Sequence, residues 1–547
     1  MVFPALNERF ANDSMMNSKV RETSENRICG LTLISVPDDA TPNSCAEWII
    51  EHQKEMHDSD PFYMLSLSAV MAQWRKWQQL LPNVHPFYAV KANPNPVLLR
   101  LLGALGANFD CASQGEIELI RSLGINAERI IFANTCKPVS AVVHARNVGV
   151  DLMTVDNELE LDKIKTHFSK ARLVIRIQVG DPTALVKLST KFGVEPDNAA
   201  PALLRRAISL GLTVVGISFH VGGGCRDASV YDRAIAHARR LFELGDSLGQ
   251  HMSLLDIGGG YPGYCSDEIS LSSISKAVNE SIARHFSDWE NFNAIAEPGR
   301  YFAMPSSTLC ASVFAKRDCD LRSIKQESSE DEADADARMY YITDGVFTSF
   351  NCVPVYNIRP PFEIVGKDVS AAVRFPSRIW GPTCDSADVV YECLQMPELD
   401  VGDWLMFTYM GAYTSCIASN FNGISLGRTH YLVIDSDREQ VLALLRSAWR
   451  GARIDSIGQS TDLPPPALPK VTPGDDVLDV APLAKLLLED ELEELEEVEE
   501  EDVTTDSGCD STPVDDAQPL RQLRIIGGNF DYKIGARKRR RRFISVT

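Results

Sequence analysis

Apolar residues in this chain come in short runs that end on a polar residue or a glycine, and each run is followed by apolar positions at helical spacing. The rhythm begins near residue 60. Its runs are PFYAVKAN, NFDCAS, IIFAN, LMTVD, RLVIRI, VVGISFHVG, SLLDIGGG and AIAEPGR. They read as eight strands, with helices between them such as 97–105 and 229–244. Eight strand–helix repeats over roughly 220 residues suit a (β/α)8 barrel, whose usual size is about 250 residues. The rival is a doubly wound sheet, which concentrates its chemistry at one switch point. Here every run ends in a chemically useful residue: Lys91, Asp110, Asn134, Asp156, Arg176, His220, the 258–260 glycines and Glu297. A barrel gathers all eight strand ends at one mouth, so the expected class is α/β, a TIM-like barrel with a second, β-rich domain.

The domain boundaries follow from where the rhythm starts and stops. Residues 1–58 hold a polar leader and a strand-like run, 28–36, expected to join the β domain. The barrel is expected over 59–304. Residues 305–455 are aromatic and β-branched between turn residues, as in YYITDGVF and DWLMFTYMGAY, and read as the β-rich domain. Within it, 326–338 (QESSEDEADADAR) reads as an acidic, disordered surface loop. Residues 456–547 form a tail, first Pro-rich, then acidic, then basic. In 489–502, 11 of 14 residues are acidic, so this stretch repels itself and is expected to stay solvated. Leucines 488, 492 and 495 have helical spacing that a basic partner could exploit. The run RKRRRR at 537–542 reads as a solvated counter-charge or as a nuclear-import signal.

Composition narrows the function classes. The chain has 547 residues, 44% of them hydrophobic, enough for two domains with sizeable cores. A formal net charge of −21 argues against a nucleic-acid or anionic-membrane binder. The 13 cysteines are mostly isolated in apolar runs, without a CxxC pair or metal-ligand spacing, as expected in a reducing compartment. Neither a signal peptide nor an 18-residue apolar stretch is evident, so a soluble, cytoplasmic protein without a metal is expected.

Lys91 lies at the end of an apolar strand, where desolvation is expected to lower its pKa and suit it to Schiff-base chemistry. Alone, it would read as a lysine snorkelling at a strand end. Gly258, Gly259 and Gly260 bare backbone N–H groups that can cradle a phosphate, and Arg300 after the eighth run could add a bidentate contact. Alone, the triplet would be a tight turn. Glu297 could keep a pyridinium nitrogen protonated. His220 could stack on a ring, or be a hydrogen-bonded core histidine.

Taken together, residues from about 60 to 455 resemble the eukaryotic ornithine decarboxylase family, the fold-type III pyridoxal-phosphate decarboxylases. The resemblance is carried by YAVKAN, FDCAS, ANTCK, VIRI, KFG, FHVG, LLDIGGGYPG, AEPGRY, SFNC, WGPTCDSAD, GDWLMF and MGAYT, in family order. It implies pyridoxal 5'-phosphate held covalently by Lys91, with Glu297 on the ring nitrogen and His220 against the ring. Gly258, Gly259, Gly260, Gly299, Arg300 and Tyr413 would form the phosphate site, and Asp110, Glu116 and Arg176 the surrounding polar network. It further implies a homodimer with shared sites, in which Cys384 protonates Cα and Asp385 holds the substrate's distal ammonium from the other subunit. Lys191 and Asp388 match an inter-subunit pair, and Gly411 a dimer-contact glycine.

Two positions depart from the family. Gly223 stands where a serine hydroxyl would reach the phosphate, a loss of one neutral hydrogen bond worth about 0.5–1.5 kcal/mol. After SFNC, Tyr356 or Asn357 stands where the family has a substrate-binding aspartate. Losing a charge-assisted bond of about 1.5–3 kcal/mol would weaken ornithine binding roughly ten- to a hundredfold. The expected reaction is decarboxylation of L-ornithine to putrescine in polyamine biosynthesis. The alternatives are a related decarboxylase acting on lysine or a specialised amino acid, and an inactive, antizyme-inhibitor-like regulator. An antizyme-like partner is part of the same implication.

Overall fold

Eight strands, Val84–Ala89, Asn108–Cys111, Ile130–Phe132, Leu152–Val155, Arg172–Ile177, Thr213–Phe219, Leu254–Asp256 and Asn293–Ala296, pair in parallel in chain order in the computed structural model. The last pairs with the first, Ala294 opposite Val84, and closes the barrel. The structure describes residues 27–450 except 29, 57, 181–183, 185, 265–268 and 326–334. The tail expected at 456–547 lies outside them, as does most of the acidic stretch.

Each strand alternates between two cores, as its period of two requires. Phe87, Ile131, Leu152, Val174 and Ile295 fill the barrel interior. Tyr88, Phe109, Phe132, Leu173 and Ile217 belong to the larger core outside, which includes apolar positions of the surrounding helices. The polar residues after the strands also start the helices. Asn95 accepts from Val97 N–H at 3.0 Å, Ser113 from Glu116 N–H at 3.2 Å and Asn157 from Glu160 N–H at 2.9 Å. These N-caps keep the strand-to-helix turns short and fix where the strand ends point.

The second unit of structure is a ten-stranded mixed sheet made from both ends of the described chain. Leu31–Val36 and Phe62–Ser66 flank Arg428–Ile434 in parallel pairing. The 14-residue strand Ser307–Asp320 pairs with Phe62–Ser66, Trp404–Phe407 and Asp336–Ile342. Two sequence boundaries therefore shift. Phe62–Ser66 lies inside the expected barrel span but is a sheet strand; because it runs straight into the helix Leu67–Leu80, it imitates a barrel repeat. Asp336–Arg338, expected in the acidic loop, already belong to Asp336–Ile342.

The helix Asp435–Arg450 returns to the barrel. Arg100, 2% exposed, reaches the carbonyls of Leu123 and Ala448 and lies 4.6 Å over the Trp449 ring, joining this helix to the barrel's own. Among the described residues, no cluster of His, Cys, Asp or Glu could hold a metal, and no helix is long and apolar enough to cross a membrane.

Candidate active site

The first two barrel strands bring the first pair of charges together. Lys91 follows Val84–Ala89 on a short 3-10 turn, and Asp110 ends the next strand. Their side chains form an ion pair, with Asp110 fully buried and the lysine side chain 40% exposed. Burial alone would lower the lysine pKa, but Asp110, Tyr413 and Glu297 outweigh it and hold the ammonium above its ordinary value. The lowered pKa expected from the sequence is thus corrected: a strand-end lysine is governed by its cross-strand carboxylate. Nearby, Glu116 accepts the Ala112 N–H at 2.5 Å, and burial raises its carboxyl pKa despite that bond.

His220 follows the sixth strand. Burial, then the charges of Arg176 and Lys91, hold its imidazole well below the usual range, so the ring is neutral. Its Nδ1 accepts the Gly222 N–H at 3.0 Å, which places the ring proton on Nε2. Arg176, at the end of the fifth strand, lies 5.3 Å over the Phe192 ring.

The glycine loop after the seventh strand is shaped by close approaches. Gly258 and Gly260 have φ of +62° and +114°, a region that side chains disfavour. A Cβ on Gly259 would stand 2.7 Å from His220 Nε2, and one on Gly260 2.9 Å from the Gly222 carbonyl oxygen. After the eighth strand, the Arg300 guanidinium lies 4.7 Å over the Tyr413 ring and 5.8 Å over the Tyr356 ring. Tyr413 has φ +56° and donates its N–H to the Ala92 carbonyl at 3.0 Å. A bulky residue held in the left-handed region marks a segment that the surrounding contacts over-determine. A Cβ on Gly299 would press on Ala92 at 2.9 Å, so this glycine lets the Arg300 turn sit against the Lys91 turn.

The eighth strand delivers Glu297, and the seventh delivers a residue that the sequence reading left unassigned, Asp256. Asp256 is 1% exposed, and its Oδ1 accepts the Gly258 N–H at 2.9 Å. Burial pushes its pKa up to about 7, and burial beside Asp256 and Asp110 raises that of Glu297 well above the carboxylate range. The only sequence signal for Asp256 is an acid inside the apolar run SLLDI.

The remaining candidates lie elsewhere. Tyr356 ends the short helix Cys352–Tyr356 and turns toward Arg300. Asn357, the next residue, is exposed at φ +52° and accepts from Arg359 at 2.6 Å. Cys384 and Asp385 are exposed; Cys384 donates its N–H to Asn422 and Asp385 accepts the Ala387 N–H. Lys191 is exposed, 5.0 Å from the Phe192 ring.

Two residues expected at the dimer contact have duties inside the chain. Asp388 is 1% exposed and accepts from Val346 N–H at 2.8 Å, Thr383 N–H at 3.0 Å and the Thr383 hydroxyl at 2.7 Å. These bonds brace the loop that carries Cys384 and Asp385. At Gly411, a Cβ would overlap the Ala303 carbonyl oxygen, so the glycine serves an internal approach. At Gly223 both backbone groups are bonded to Val186, and a Cβ would stand 3.2 Å from the valine Cβ.

Residues 67–304 match the pyridoxal-dependent decarboxylase family, pyridoxal binding domain. The chain is 40% identical over 423 residues to ornithine decarboxylase of Panagrellus redivivus, covering 77% of this chain and 97% of that one. The chain belongs to the ornithine decarboxylase family. Other members differ in what their names state. Antizyme inhibitor 2 of Xenopus laevis is 40% identical over 75% of this chain and 86% of its own. The crystal structure of arginine decarboxylase from Paramecium bursaria Chlorella virus aligns with a TM-score of 0.65 at 33% identity, over 71% of this chain and all of that one.

The family's cofactor is pyridoxal phosphate, and the residues at the barrel mouth fit it. The cradle at Gly259 and Gly260 would be filled by any side chain. Arg300, after the eighth strand, offers a guanidinium suited to a phosphate. Buried Asp110 Oδ1 and Asp256 Oδ2 have no hydrogen-bond partner among the described residues when both carboxyls are ionised, so the site has polar capacity to spare.

Proposed function

We propose that this protein decarboxylates L-ornithine to putrescine and carbon dioxide, in the cytoplasm, as a homodimer with shared sites. The observation that supports it most is the complete cluster at the barrel mouth: Lys91 on Asp110, neutral His220, Glu297, Arg300 and the glycine cradle. The likeness to ornithine decarboxylases over most of their length supports ornithine as the substrate.

Each residue has a task that its surroundings suit. Asp110 pairs with the Lys91 ammonium and fixes where the amine stands when it turns nucleophile. His220, neutral and proton-bearing at Nε2, offers a flat face without adding charge. Arg300, its guanidinium over the Tyr413 and Tyr356 rings, and the 258–260 backbone would hold the phosphate. Glu297, as a carboxylate, would pair with the pyridine nitrogen and favour its protonated form. The bound pyridoxal phosphate supplies an electron sink for the pair left when the Cα–carboxylate bond breaks. Cys384, reaching in from the other subunit, delivers a proton to Cα in place of the lost carboxylate. Asp385 holds the distal ammonium, and Tyr356 presents a neutral wall where the family places an anion.

The test is subunit mixing. Lys91→Ala and Cys384→Ala homodimers should each release little carbon dioxide from ornithine. Random exchange gives about half heterodimers with one intact site of two, hence about a quarter of wild-type activity. No recovery on mixing would rule out shared sites, and an active Lys91→Ala homodimer would rule out the mechanism.

The likeness to antizyme inhibitor 2 favours a second reading, a regulator that binds an antizyme-like protein without turning over substrate. It predicts a protein that neither holds the cofactor nor decarboxylates any amino acid. The intact cluster weighs against it.

A further inference from the structure

Asp256 and Glu297 end neighbouring barrel strands that are laced together at the mouth. Ile257 N–H bonds to Ile295 O at 2.9 Å, and Glu297 N–H to Gly258 O at 2.7 Å. The Glu297 carboxyl, as hydrogen-bond donor, favours the Asp256 carboxylate, and Asp256 Oδ1 already holds the Gly258 N–H. Two buried carboxyls so paired cannot both ionise cheaply, so one keeps a proton and donates it to the other. Without that proton, Asp256 Oδ2 has no partner at 1% exposure. The charges facing the pair are Asp110, Arg176 and Lys91, with the Tyr261 hydroxyl also close.

We propose that Asp256 is a positioning residue for the cofactor: opposite a protonated pyridine nitrogen Glu297 must be the carboxylate, so the proton of the pair then lies on Asp256 Oδ2, which donates it back to Glu297 and holds that carboxylate in place, while Oδ1 fixes the start of the glycine loop that receives the phosphate. One buried carboxyl thus sets both ends of the cofactor site. The inference rests on reading the mouth as a pyridoxal-phosphate site, and it assigns a duty to a residue that touches neither substrate nor ring.

The chemistry distinguishes this role from simple core packing. Asparagine has nearly the same shape, can accept the Gly258 N–H and always has an N–H to give Glu297. Leucine fills similar space and can do neither. The experiment titrates the full-length protein with pyridoxal phosphate, following visible absorbance, beside thermal unfolding of each variant. Wild-type binding is the control, since its failure would defeat the cofactor reading itself. With that control met, Asp256→Asn should bind within about threefold of wild type, and Asp256→Leu at least tenfold more weakly while still unfolding cooperatively. Wild-type affinity in a folded Asp256→Leu would overturn the proposal. So would an equal loss in both variants, because asparagine can reproduce both hydrogen bonds. If Asp256→Leu does not fold, the asparagine variant decides alone: retained affinity supports the proposal and tenfold loss overturns it.

Discussion

At the scale of single residues, neighbours rather than residue type decide the chemistry. Lys91 carries a raised pKa because Asp110 lies across the next strand, and no property of YAVKAN announces that. Tyr356 turns to Arg300 while Asn357 bonds Arg359, so of the two candidates Tyr356 is the one directed toward the barrel mouth. Tyr356→Asp should then lower the KM for ornithine roughly tenfold, the value of one charge-assisted bond. An unchanged KM would place the distal ammonium elsewhere. Asp256 also makes stability depend on pH. Its folded pKa, about 7, is raised above the unfolded value of about 3.9, so its contribution is present at acid pH and is lost as pH rises through about 7. Urea midpoints of the cofactor-free protein should fall between pH ~4 and ~7, and Asp256→Asn should lessen that fall. An equal fall in both would assign it to other groups. His220 acts with the opposite sign, costing stability as pH drops below ~6.5.

At the scale of elements, the sequence was legible wherever a strand ended in a special residue. All eight barrel strands were readable from apolar runs, because a parallel strand buried on both faces leaves an apolar signature and the mouth demands polar ends. Phe62–Ser66 was misread because a sheet strand leading straight into a helix has the same local pattern; only its pairing with Ser307–Asp320 sets it apart. Asp256 escaped for the converse reason, since an acid within an apolar run carries no periodic signal. Gly411 and Asp388, expected from family likeness at the dimer contact, also make close approaches within the chain that no sequence signal announces. The loop at Gly223 shows a further dependence that sequence hides. Its bridge to Val186 leaves a serine Cβ tight against that valine. Gly223→Ser with Val186→Ala should tighten pyridoxal-phosphate binding about two- to tenfold, the value of one regained hydrogen bond, and Gly223→Ser alone should gain less. Equal gains from both would show that the valine does not crowd the site.

At the scale of the whole molecule, the barrel collects cofactor residues from its strands while the mixed sheet carries the loop with Cys384 and Asp385. Neither unit holds all of the residues proposed for the site. The chain's arrangement, sheet strands first, barrel in the middle and sheet again, brings Tyr413 and Tyr356 of the later segment against Arg300 of the barrel. Relatives bear the names of ornithine and arginine decarboxylases, so the proposed substrate is best measured against other basic amino acids. The most direct measurement is carbon dioxide release by the pyridoxal-phosphate-loaded protein with ornithine, lysine, arginine and a neutral amino acid. The proposed mechanism predicts the highest kcat/KM for ornithine, no measurable turnover of the neutral amino acid, and loss of all activity in Lys91→Ala. A cofactor-loaded protein that releases no carbon dioxide from any of the three basic amino acids would contradict it.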